Sequence, residues 1–238
     1  MTGGEGNTMD IPALLRSHLE RVNARELAAR RDYHAYLVGR GDEKDTLEEH
    51  IAKYASLARI GEPATPHDIE ALQALSQPPL PAELVDFYRT CGSFRGGHYL
   101  HDCVIHAPSA LLDAHRRPRG EWEVLPSMGL AAMVRWAWGN DRFEFEPDQG
   151  GLAAAEVAAL DRAYSAIGWR VVASGEGFEF LYFDAHGRFG RLFFHQDAFD
   201  ELYEDSLQPM LAASPATQDL GDALRDFLAG TRGPSAPA

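Results

Sequence analysis

Apolar residues return every three or four positions through the first part of the chain, so it reads as a series of helices. Ile11, Leu15, Leu19 and Val22 predict a helix from Asp10 to Val38, with Asp10 as its cap, Pro12 in its first turn, and Gly39 and Gly41 as its stop. Thr46 and Glu49 have capping-box spacing and open a second helix with the stripe Leu47, Ile51, Tyr54 and Ala58. Thr65, Pro66 and Asp68 repeat the start signal ahead of Ile69, Leu72 and Leu75. After Gln77-Pro78-Pro79, Pro81 opens a fourth helix on which Leu84, Phe87, Tyr88 and Cys91 face one way. Gly92 is suited to end it in the left-handed conformation.

Beyond Gly96 and Gly97 the period shortens. His98 to Ile105 reads as a strand, and Pro108 introduces a short helix through Leu112. Met128 to Trp138 suits a buried helix or a strand equally, whereas Phe143 and Phe145 alternate with acids as a strand would. Leu152 to Ile167 reads as a helix that Gly168 ends. Trp169 to Ala173, Phe178 to Phe183 and Phe189 to His195 are aromatic and β-branched, and the short separators between them require antiparallel pairing. Asp219 caps a last helix bearing Leu220, Leu224, Phe227 and Leu228, and Gly230 terminates it. The chain is expected to be α+β, with an N-terminal helical extension (1–61), a main domain (62–230) and a disordered tail (231–238).

Composition narrows the function classes. The chain of 238 residues is 45% hydrophobic and 24% charged, which suits a globular domain with a real core. A formal charge of -14 opposes phosphate backbones and anionic lipid, so neither nucleic acid nor membrane is expected as a partner, and a cationic protein fits better. Met1 to Asp10 lacks the basic and apolar regions of a leader, and two cysteines are too few for a disulfide framework, so the expected location is cytoplasmic.

His98, His101, Asp102, Cys103 and His106 carry zinc-type donors, but on a strand His98 and His106 face away from His101 and Cys103. No metal ligand is assigned. Cys91 and Cys103 read as buried thiols rather than nucleophiles, no Gly-x-Ser-x-Gly elbow occurs, and the glycine groups lack the order of a phosphate cradle. No catalytic residue is assigned, and no enzyme is expected.

Four motifs in order carry a family resemblance. They are the helix from Thr65 leading to Leu80-Pro81, Phe87, Tyr88 and Gly92; the segment Trp169-Arg170-Val171-Val172-Ala173; Tyr182-Phe183-Asp184 followed by Gly187; and Asp219 to Leu228. In this order the chain resembles the SUKH superfamily, which includes the yeast cell-wall-assembly regulator and many bacterial immunity proteins. Cys91 stands where that family commonly has an asparagine, and the helices before Gly61 lie outside the likeness. The resemblance implies a mixed, largely antiparallel sheet with helices packed around it, no cofactor, and neutralisation of a cognate toxin by binding it. A regulatory scaffold is the alternative.

The expected partner surface is the segment Asp197, Phe199, Asp200, Glu201, Tyr203, Glu204 and Asp205, where aromatics stand among carboxylates and suit a basic toxin domain. An acidic amphipathic helix with its aromatics turned inward would give the same pattern. Glu144 and Glu146, on one face of the expected strand, add two further carboxylates.

Overall fold

Aromatic and β-branched runs pair into one meandering sheet. In the computed structural model, which describes residues 9–96, 103–116, 129–138, 152–172, 177–195 and 198–230, the strands lie in chain order. They are β1 (Arg59–Ile60), β2 (Phe94–Arg95), β3 (Cys103–Ile105), β4 (Tyr164–Val171), β5 (Gly177–Asp184) and β6 (Phe189–His195). The expected antiparallel character extends to every described strand pair.

Helices cover both faces. Residues opposite each other across a ladder share a face, so Phe94, Ile105, Leu181, Phe183 and Phe189 form one apolar surface. Onto it pack α1 (Ile11–Arg40), α3 (Pro66–Leu75), α4 (Ala82–Thr90), α5 (Pro108–Arg116) and α10 (Leu220–Ala229). Ala166, Phe180, Tyr182, Leu192 and Phe194 form the other surface, under α6 (Leu130–Trp138), α7 (Ala154–Ala163) and the helical run from Phe199 to Ala212. Each fully buried phenylalanine or leucine contributes about 1.5–3 kcal/mol.

A charge cluster sits inside the first face. Glu179, 3% exposed, pairs with Arg170 of β4 and with Arg191 of β6 at 3.0 Å, and Arg191 reaches Asp226 of α10 at 3.7 Å. Burial raises the Glu179 pKa while the two guanidinium groups oppose that rise. The cluster thus locks three strands to the last helix, and its charges are tolerable there only as a set.

Most helix limits match the capping signals. Asp10, Thr46, Thr65 and Asp219 each accept a bond from the backbone N–H three residues on, and Thr46 with Glu49 completes a capping box. Met128 to Trp138 resolves as a helix from Leu130. The helix expected from Leu152 to Ile167 is shorter: it covers Ala154–Ala163, and Tyr164 to Ile167 already belong to β4. Helices on both sides bury every residue from Tyr164 to Gly168, which erases the alternation that marks a strand. Gly168 is not a helix stop. It lies at a bulge where a Cβ would stand 2.3 Å from the Val104 carbonyl oxygen.

Residues 9–60 contribute to the main core and to the sheet. Leu15 is fully buried in the same core as α3, α4 and α10, and Arg59–Ile60 forms the first strand of the sheet. Beyond Val22, α1 runs on beside α2 (Leu47–Tyr54). The inward position on α2 belongs to His50, 1% exposed, whereas Tyr54, expected on the apolar stripe, is 45% exposed.

Candidate protein-binding surface

The acidic segment is built on a helix anchored from below. Phe199–Leu202 is α8, Tyr203–Leu207 is a π-helical turn and Gln208–Ala212 is α9. Pro209 has no N–H to give the Asp205 carbonyl, so the ladder resets there, and the Gln208 N–H bonds to the Tyr203 carbonyl one residue further back. The wide turn brings Leu202 and Leu207 to one side. Both are buried, as is Met210, and all three join the core under the second sheet face.

The other side is acidic. Glu201, Glu204 and Asp205 are exposed, and no basic side chain occurs between Gln196 and Leu224. Tyr203 lies between the two sides, half-buried against the core, and its hydroxyl donates to the Glu156 carboxylate of α7 at 3.4 Å. Glu156 also accepts from the Ala153 N–H at 2.8 Å, so its position is set by the start of α7. Desolvation raises the Tyr203 pKa, and the nearby Glu156 and Glu204 charges add to the rise. The result is a tyrosine held in place among carboxylates on a segment with nothing cationic of its own, which can receive a lysine- or arginine-rich surface.

Of the residues expected here, Glu201, Tyr203, Glu204 and Asp205 fall on this surface. Phe199 and Asp200 lie on α8, with their side chains outside the description. Asp197, Glu144 and Glu146 lie outside the described residues. Sequence reasoning missed Glu156, whose bond from the Ala153 N–H is half of a capping box without the serine or threonine that marks one.

The motif residues build the fold rather than a surface. Leu80, Phe87 and Tyr88 are buried, and Pro81 is the N-cap of α4. Gly92 has φ +62°, and a Cβ there would lie 1.7 Å from the Glu62 carbonyl oxygen, so only glycine fits. Trp169 meets Phe178 edge-on at 6.0 Å. Asp184 accepts from the His186 and Arg188 N–H groups at 2.8 and 3.0 Å and from the Ser214 hydroxyl at 2.5 Å, and Gly187 closes that turn at φ +71°. These bonds fix the β5–β6 hairpin to the chain after α9.

Polar groups also gather in two other places. A shallow pocket of about 220 Å³ is lined by Tyr164, Asp184, His186, Met210 and Ser214. Its polar groups hold the fold together: Tyr164 donates to the Met210 carbonyl at 2.7 Å, and both Asp184 oxygens accept hydrogen bonds. Of the zinc-type donors, His98, His101 and Asp102 lie outside the described residues, and Cys103 is buried on the first sheet face. The His106 ring is pushed down to about 4 by burial. Among the described residues no group of three or more His, Cys, Asp or Glu is placed to hold a metal, and no helix is long and apolar enough to cross a membrane.

The chain matches no protein-family model, no curated protein and no solved structure.

Proposed function

We propose that this protein is a SUKH-like immunity protein that binds a cognate bacterial toxin domain and neutralises it by occlusion, working in the cytoplasm without a cofactor. The observation that carries the reading is the acidic face of Glu201, Glu204 and Asp205 around Tyr203, which Glu156 of α7 holds in place, on a segment that has no basic side chain between Gln196 and Leu224. A partner rich in lysine and arginine complements it, and steering by opposite charge speeds capture more than it deepens affinity. The order of the four motifs from Thr65 to Leu228 in the sequence is what suggests the family.

The test is co-expression with the basic C-terminal domain of a secreted protein encoded beside this gene. Survival of the host and a stable complex are expected. A neighbouring toxin that kills equally with and without this protein would refute the reading. A regulatory scaffold is the alternative, and it predicts a complex with a cellular protein and no rescue.

A further inference from the structure

The distal part of α1 and the helix α2 show an inverted arrangement. His50 is buried between them, with its Nδ1 on the Glu43 carboxylate at 2.7 Å and its Nε2 without a partner among the described residues. The rings of His34, Tyr33 and Tyr54 lie 5.1, 6.1 and 4.8 Å from its own. The tyrosines stand outside: Tyr33, Tyr36 and Tyr54 are 45–55% exposed, and Tyr33 stacks on Tyr36 at 6.3 Å. Val38 and Leu57 are similarly exposed, so five of the seven exposed large hydrophobics among the described residues lie on this arm. A helix pair that turns a histidine and a glutamate inward and a run of tyrosines outward has its apolar area where a partner would meet it.

Charge selects the occupant. Asp10 to Gly61 contains nine acidic and nine basic residues, so the whole net charge of -14 lies outside this segment. A twofold contact places one patch against a copy of itself, and an acidic patch would repel its copy. The arm is a neutral stretch with interspersed signs, and α1, with 30 residues, is about 45 Å long. We infer that the tyrosine-bearing face of the α1–α2 arm is the isologous interface of a homodimer, in which Tyr33, Tyr36 and Tyr54 pack against the same residues of a second copy.

Sedimentation equilibrium of the full chain across the micromolar range tests this. The wild type is expected to show twice the 26.2 kDa monomer mass. Tyr33→Glu with Tyr36→Glu places like charges together at the twofold and is expected to weaken the dimer at least tenfold, with the helical circular dichroism unchanged. Glu204→Lys, on the acidic face, should leave the dimer intact. A wild-type monomer at every concentration, or a dimer indifferent to the tyrosine changes, would overturn the inference. Loss of dimer in the Glu204→Lys variant with retention in the tyrosine variant would overturn it as well. None of these outcomes depends on whether a toxin is bound.

Discussion

The run from Phe199 to Ala212 and the α1–α2 arm solve opposite problems with the same helical geometry. In the first, Leu202, Leu207 and Met210 point into the core, and Glu201, Glu204 and Asp205 are exposed. In the second, His50 and its bond to Glu43 fill the inner side, and the tyrosines are outside. The first surface carries charge of one sign and suits a partner of the other sign. The second carries no net charge and suits a copy of itself. Burial pattern and local charge together therefore separate two binding classes that the overall charge of -14 would merge.

The largest expected effect removes what both surfaces share. Glu179→Ala leaves Arg170 and Arg191 without their common carboxylate inside the sheet and should cost about 3–5 kcal/mol in chemical denaturation. Leu207→Ala should cost about 2–5 kcal/mol by leaving a cavity under the acidic helix. Tyr36→Ala, at a site 55% exposed, should change monomer stability by no more than about 0.5 kcal/mol. Equal losses from Leu207→Ala and Tyr36→Ala would show that the two helical regions are anchored alike.

Acid should separate the sheet from the arm. His106, which follows β3 and bonds through its N–H to Ile167, has its pKa lowered by burial to about 4 from 6.5. The unfolded chain binds that proton first, so stability falls as pH drops from 6.5 towards 4, by up to about 3 kcal/mol. Glu43 is lowered from 4.5 by the Asp45 N–H and by His50. Its contribution is complete above pH 4.5 and is lost only as pH falls through its lower folded value. Denaturation at pH 5 should show a loss that His106→Phe largely abolishes, while nuclear magnetic resonance still detects the His50–Glu43 pair.

The smallest effect on stability belongs to Glu201→Lys, Glu204→Lys and Asp205→Lys combined. All three side chains are exposed, so the change in folding free energy should stay within about 1 kcal/mol.

Local chemistry was readable in the sequence, and contacts between distant residues were not. The caps at Thr46, Thr65 and Asp219 and the positive φ of Gly92 and Gly187 follow from side chains within a few residues. Two-residue strands such as Arg59–Ile60 have no period of their own, and they exist only because Phe94 and Arg95 pair with them. Arg170, Glu179 and Arg191 look like the polar positions of half-exposed strands until α10 covers them. The acidic site was legible in Glu201, Tyr203, Glu204 and Asp205. Its π turn was signalled by Pro209, and its link to Glu156 crosses 47 residues and had no local sign. His50 lies three residues after Leu47 and four before Tyr54, so its inward position was compatible with the helical period.

The most direct measurement is the association rate with a purified basic toxin domain from the adjacent gene, followed by biolayer interferometry over a range of salt concentrations. The account predicts a rate that falls steeply with salt for the wild type, and a rate about tenfold or more lower, with a flat salt response, for the triple lysine variant. An unchanged rate and an unchanged salt slope in that variant would contradict it.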